Sequence, residues 1–280
     1  MRLLPRRRGV RVEKFDVATG RWAEPAASGG ADRDELTLAT YNVWNDPKYF
    51  GERYLAIAQL LSRHAPDIMV FQEITPPALD VFVSQQWIRD GYSRASVVGG
   101  DAGSYGMLLL SRLPLSRVTY TRLPSRQSRG FLQAELTLNG RRLVVCCIHL
   151  DSGKASSRLR GWQLRRIFGA LKMAEDAVVL GDFNMRDAED SRIAAPYRDV
   201  WPTLRPGEDG FTEDTSINLM RYDMKDKHRH VRFDRVLLKG RQWSAANIEL
   251  LGTKPIAADL PRVFPSDHFG VKCLLTTRNP

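Results

Sequence analysis

No apolar run in this 280-residue chain approaches the roughly 18–20 residues needed to span a bilayer, so no membrane helix is expected. The opening MRLLPRRRGV is basic and lacks the apolar h-region of a secretory signal, so export by that route is not expected either. Cysteine is scarce: there are 3, and two of them are the neighbours Cys146 and Cys147 inside an apolar run. Neighbours on a strand point to opposite faces and are poorly placed to bond each other. An odd count without framework spacing points to buried thiols in a reducing compartment, hence an intracellular chain, cytoplasmic or nuclear. No electropositive, exposed context surrounds these residues, so packing is favoured over a catalytic thiol. A thiolate set for zinc is missing. So is any repeat at a solenoid period.

What is present begins with charge. The formal net charge is +10, with 42 Lys and Arg against 32 Asp and Glu. A field of that sign favours polyanions such as nucleic acid, phosphorylated small molecules or anionic surfaces; the plain alternative is solubility alone. Arginines cluster at 6–8 and again over 158–166, and guanidinium grips phosphate in a fork. Hydrophobic residues make up 43% of the chain, ample for a core. Residues 1–34 are expected to form a basic, flexible segment, within which RVEKFDVATGRW suits a small hairpin turning at ATG. Residues 35–280 are expected to form a single catalytic domain.

Along that domain strands and helices interleave. Residues 36–42 and 67–74 read as strands, with an amphipathic helix between them over 52–64 that ends before Pro66. PPALDVFVSQQW reads as one helix opening on prolines. Strands follow at 105–111, 131–138 and 142–150, the last two joined by an Asn139-Gly140 turn. A long basic helix is expected over 156–175, with Arg158, Arg160, Arg165 and Arg166 on a solvated outer face. A buried strand spans 176–184, an irregular stretch runs to about 230, and strands close the chain at 232–239 and 269–276. This pattern predicts an α+β layered domain, sheets inside and helices outside.

Several of these strands end in polar residues that an apolar core does not need. The collected set is Asn42, Glu73, His149, Asp182, Asn184, Asp234, Asp267 and His268. Side chains at strand ends and in the loops that follow gather into one site in layered folds. Carboxylates and amide oxygens are hard ligands that suit Mg²⁺, and histidines near carboxylates are held charged, ready to stabilise a developing phosphorane anion. Together they make a kit for metal-assisted phosphodiester hydrolysis. Each residue alone has a plainer use: Asn42 as a cap, Glu73 solvated at a strand end, Asp182-x-Asn184 as a tight turn, His149 as a surface histidine, Asp234 in an ion pair with Arg232 or Arg235. All those uses would have to coincide at the ends of successive strands.

The series TYNVW, VFQE, IHLDS, GDFN, RFDRVLL and PSDHFG, in that order, resembles the endonuclease/exonuclease/phosphatase superfamily over residues 36–276. With GDFNMRD and KHRHVRFDR it looks most like the 5′-tyrosyl-DNA phosphodiesterase branch. The resemblance implies a four-layer α/β sandwich with two central, mostly antiparallel sheets flanked by helices. It implies Mg²⁺, with Mn²⁺ as a substitute, held chiefly by Glu73 with Asn42 and Asp267 nearby. It implies that Asp182, helped by Asn184, orients or deprotonates water, while His149 and the His268–Asp234 pair face the scissile phosphate. Ser152, Lys154 and Arg186 stand where that branch meets substrate. Two positions depart: Glu213 in GFTEDT replaces an aromatic, and Lys154 replaces an arginine. Loss of an aromatic platform weakens base stacking by about 1–3 kcal/mol per base, and an acidic group there is expected to repel phosphate. The implied activity is a Mg²⁺-dependent phosphodiesterase on nucleic acid, removing a 5′-tyrosyl adduct in DNA repair, from a monomer with DNA as partner and no membrane. The alternatives are the same engine on another phosphate ester (an abasic-site endonuclease, a sphingomyelinase-like enzyme, a sugar-phosphate phosphatase) or an inactive basic nucleic-acid-binding module.

Overall fold

A computed structural model describes residues 7–25, 29–224 and 226–278. Two sheets lie face to face. The first has seven strands in the order Arg7–Gly9, Arg117–Arg122, Gly130–Leu138, Arg141–His149, Asp176–Asp182, Asp234–Lys239, Arg198–Asp199. The second has eight, in the order Trp243–Leu251, Gly270–Thr277, Glu35–Asn42, Ile68–Ile74, Gly106–Ser111, Ser93–Val97, Glu13–Asp16, Arg21–Ala23. Within each sheet one neighbouring pair is parallel and the rest are antiparallel: Arg141–His149 beside Asp176–Asp182, and Glu35–Asn42 beside Ile68–Ile74. Parallel neighbours need a crossover, and the helices Ser157–Ala170 and Phe50–His64 supply it. Both crossovers therefore deliver two strand C-termini to the same edge of their sheet.

Strand alternation sorts the layers. Leu36, Leu38, Val145, Cys147, Val178 and Leu180 fill the core between the sheets. Ala39 and Tyr41 face outward onto Tyr54, Ile57 and Leu61 of one helix, and Val144, Cys146 and Ile148 face Leu164 and Ile167 of the other. The order helix, sheet, sheet, helix is the four-layer sandwich expected. Cys146 and Cys147 sit on opposite faces, and all three cysteines are free and buried. No helix among the described residues is long and apolar enough to cross a membrane.

Several expectations need correction. The N-terminal segment is not a flexible tail where it is described. Arg7–Gly9 pairs with Arg117–Arg122, and the expected hairpin forms and adds Glu13–Asp16 to Ser93–Val97. Residues 1–6, with Arg6 of the basic cluster, and 26–28 lie outside the described residues. The single helix expected from PPALDVFVSQQW is two, Pro76–Val83 and Gln86–Gly91, because Ser84 and Gln85 turn the chain between them. The long basic helix stops at Ala170, where Leu171 adopts a non-helical conformation. Arg160 on that helix is not solvated. It is 1% exposed, pairs with Glu189, and donates to the carbonyls of Asp151 and Gly153 at 2.8 Å each. The stretch to residue 230 holds short elements, among them Val200–Leu204 and Leu219–Asp223, rather than open coil.

Candidate active site

The site lies where the C-terminal ends of both parallel pairs meet. Register places His149 directly beside Asp182 in the first sheet. In the second, Asn42 lies beside Gln72, and Glu73 follows. Glu73 sits in a bulge, where the register against Gly106–Ser111 slips between Gln72 and Ile74, and its backbone φ is 63°. A left-handed non-glycine residue costs about 1–3 kcal/mol and is tolerated where its surroundings fix it. Here the turn presents Glu73 to the cleft, with Oε2 accepting the Asn45 N–H at 3.1 Å.

Asp182 is buried and receives four donors. Asn42 Nδ2 donates to Oδ2 across the gap between sheets at 3.1 Å, and Asn184 Nδ2 donates at 3.0 Å. The Asn184 backbone N–H donates to Oδ1 at 2.8 Å. His149 Nε2 stands 3.3 Å from Oδ2. Burial alone would raise the Asp182 carboxyl, but the His149 hydrogen bond, the His268 charge and the Asn184 N–H outweigh it, and Asp182 is held below the usual carboxylate range. The tautomer of His149 follows from its other nitrogen: Arg129 Nη1, which only donates, lies 2.9 Å from Nδ1. The ring proton therefore stands on Nε2, aimed at Asp182. Arg129 also donates to the Tyr105 hydroxyl at 2.9 Å, and the Tyr105 ring stacks on His149.

Across the cleft His268 Nδ1 meets Asp234 Oδ2 at 2.7 Å. Burial opposes charge on His268, but Asp234, with Asp267 and Asp182, overrides it, and the imidazole is held well above its ordinary range. With Nδ1 engaged, Nε2–H is the atom left for a ligand. Asp234 therefore does not pair with Arg232 or Arg235: those arginines bind Asp199, at 2.6 and 2.8 Å. Burial pushes the Asp267 carboxyl up to about 6, and the Glu73 charge adds to this against the pull of His268.

The loops that carry these groups are tied down. Ser266 Oγ donates to the Asn42 carbonyl at 2.7 Å and accepts the His268 N–H at 3.2 Å. Thr212 Oγ1 accepts the N–H of both Phe233 and Asp234 at 3.0 Å. Asn218 donates to the Ser266 carbonyl at 2.8 Å. Arg53, wholly buried, donates to the carbonyls of Val43, Trp44, Asp46, Lys48 and Pro265, which fixes the loops after Asn42 and before Ser266.

A cleft of about 350 Å³ opens onto Glu73, His149, Asp182, Asn184, Asp267 and His268. Asn42 and Asp234 stand behind it as supports. Ser152 and Arg186 border it, with Ser152 held by Gln127. Lys154 lies exposed in the short turn Lys154–Ser156 and does not itself line the cleft, although its neighbour Gly153 does. Sequence reading missed Tyr105, Arg129, Arg221, Arg229 and Phe233, which also line it. Only Arg229 and Phe233 carried a signal, as members of KHRHVRFDR. Among the described residues Asp182, Asp234 and His268 bring polar side-chain atoms within 4.8 Å of one another, a buried acidic and histidine cluster. Glu213 is 2% exposed and pairs with Arg221 and Arg229. It is therefore no free negative charge facing the cleft, and the expectation that it repels phosphate is corrected.

Residues 39–268 match the endonuclease/exonuclease/phosphatase family. The chain is 28% identical over 255 residues to tyrosyl-DNA phosphodiesterase 2 of Gallus gallus, covering 85% of this chain and 66% of that protein. It is 28% identical over 257 residues to the Homo sapiens protein of that name, covering 86% and 68%. The chain thus spans about two thirds of the length of these relatives. Among solved structures, D. rerio TDP2 complexed with single strand DNA product superposes with TM-score 0.78 at 24% identity, covering 88% of this chain and all of that one. The human Nocturnin catalytic domain does so with TM-score 0.66 at 17% identity, covering 88% and 96%. At these identities the likeness is one of fold.

Proposed function

The chain belongs to the endonuclease/exonuclease/phosphatase family, and from that premise we propose that it is a Mg²⁺-dependent phosphodiesterase acting at the 5′ end of DNA, releasing a tyrosyl adduct. The observation that carries this reading is the opposition, across one cleft, of an ionised Asp182 fixed by four donors and a charged His268 backed by Asp234. The names of the relatives, tyrosyl-DNA phosphodiesterase 2, supply the substrate class.

Asp182 presents a fixed acceptor that orients a water for attack and takes up its proton. His149, locked as the Nε2–H tautomer by Arg129, keeps that carboxylate in place. His268 offers Nε2–H to a phosphate oxygen, and Asp234 holds the imidazolium against the cost of burial. Asn184 is left-handed, with φ 50°, a conformation Asn accepts more readily than most residues, and this lets its side chain turn back onto Asp182. Arg186 and Ser152 border the cleft, where they stand ready to meet the strand.

The residues also fit a divalent cation. Glu73 and Asp267 both line the cleft, and the Glu73 charge raises the Asp267 carboxyl, a conflict that a bound cation would relieve, while Asn42, behind the cleft with its Oδ1 accepting the Trp44 N–H, would support the site. Mg²⁺ suits these hard donors, with Mn²⁺ as a substitute, and when bound it neutralises charge on the phosphate. The free, buried thiols support an intracellular setting.

The test is hydrolysis of a 5′-tyrosyl oligonucleotide with Mg²⁺, beside abasic-site DNA, sphingomyelin and inositol phosphates. Turnover of the tyrosyl strand, falling by about 10²-fold or more in Asp182→Asn and His268→Ala, supports the proposal. A folded protein that turns over no phosphodiester in the presence of Mg²⁺ overturns it, and preference for a lipid or sugar phosphate replaces the substrate.

A further inference from the structure

Glu213 stands where the resemblance predicts an aromatic platform, yet its surroundings are those of an anchor. Its backbone pairs with Val231 in the two-stranded ribbon Glu213–Asp214 and His230–Val231. Its Oε1 accepts from Arg221 Nε and forms an ion pair with Arg229 Nη1 at 3.2 Å. Arg229 is fixed at its backbone as well, where Thr215 Oγ1 accepts its N–H at 2.8 Å. Its remaining guanidinium donors make no hydrogen bond among the described residues, and about a quarter of the side chain is exposed. Arg186 and Arg229 both lie over the Phe233 ring, 5.9 and 5.8 Å from its centroid, and all three residues line the cleft. Burial lowers Arg229 below its ordinary range, and Arg221 and Arg186 lower it further against the pull of Glu213. Three guanidiniums crowd onto one wall; Arg221 is taken up by Glu213 and by Asp267 at 3.6 Å, and the donors that Arg186 and Arg229 leave over form a surface that an anion completes.

We propose that Glu213 is a positioning residue that clamps Arg229, and that Arg229 with Arg186 binds a second backbone phosphate of the DNA strand, beside the scissile one. The inference rests on the phosphodiesterase reading and specifies how the strand is held: by charge where an aromatic platform would hold it by stacking.

The experiment measures binding of a 5′-phosphorylated six-nucleotide DNA strand by fluorescence anisotropy across a salt series, beside a 5′-mononucleotide that carries one phosphate. Glu213→Gln raises the net charge by one, so simple repulsion predicts tighter strand binding. The clamp predicts binding weaker by about tenfold, the size of one charge-assisted hydrogen bond. Arg229→Ala, at a side chain about a quarter exposed, is expected to weaken the strand by a similar factor. It is also expected to lower the salt slope by about 0.7, one phosphate of a single strand. Tighter binding by Glu213→Gln, an unchanged slope in Arg229→Ala, equal weakening of strand and mononucleotide, or no strand binding by the wild type each overturns the clamp. Binding needs no turnover, so the clamp can fail in a protein that hydrolyses the tyrosyl strand. Absence of that hydrolysis instead overturns the functional reading.

Discussion

Gly181 shows how much a single position constrains the site. Its φ is 141°, and a Cβ there would stand 2.1 Å from the Ile148 carbonyl oxygen of the neighbouring strand. Gly181→Ala must push apart the pair that sets His149 beside Asp182, so we expect a loss of about 2–3 kcal/mol in denaturant unfolding, together with activity. Glu189 gives a second prediction at this scale. Burial raises its carboxyl, but the Arg160 hydrogen bond and charge outweigh that and hold it below the ordinary range. A depressed carboxyl contributes stability above its unfolded value of about 4.3 and loses it as pH falls through the folded value. Glu189→Gln should therefore cost about 3–5 kcal/mol at pH 7, the cost of breaking a buried pair. The gap should shrink below about pH 4 in unfolding curves run at both pH values. Most site residues were legible because Asn42, Glu73, His149 and Asp182 stand at the polar C-terminal ends of readable strands, while Asp234 opens a strand and Asp267-His268 lead into the last. Arg129 and Arg53 were not: they act by reaching carbonyls or a ring nitrogen across the fold, and nothing in their neighbours records that.

Elements were legible where alternation or a helical stripe is strong. Three strands of five or more residues escaped, besides shorter ones. Ser93–Val97 is short and mostly small or polar, and Arg117–Arg122 carries arginine at both ends. Trp243–Leu251 has its alternation broken by an irregularity between Ala245 and Asn247. The first of these matters for the N-terminal hairpin, which covers its edge. Phe15 packs edge-on against Trp22, Arg89 lies over Phe15, and Arg94 pairs with Glu13. The strand Arg7–Gly9 covers the edge of the other sheet. Removing residues 1–25 bares both edges, so the truncated protein should melt about 3–10 °C lower and aggregate on standing, as followed by calorimetry and light scattering.

At the scale of the whole molecule, the two sheets divide the labour. Glu73, Asn42, Asp267 and His268 belong to one, His149, Asp182 and Asp234 to the other, and Asn42–Asp182 and His268–Asp234 bridge them. The frame holds itself through its core clusters and these bonds, so EDTA should abolish turnover and leave the circular dichroism unchanged. Mg²⁺ should stabilise the fold by about 2.7 kcal/mol at a hundredfold excess over Kd and so raise the melting temperature with its concentration, and Glu73→Ala should erase that rise. Beneath the site Gln72 Nε2 reaches Cys147 Sγ at 3.5 Å, sheet to sheet. Cys147 is thus a shim as well as a core residue: its small volume sets the opening of a caliper whose jaws are the sheet that carries Glu73 and the sheet that carries Asp182. A bulkier side chain there would widen those jaws without touching a single reacting atom.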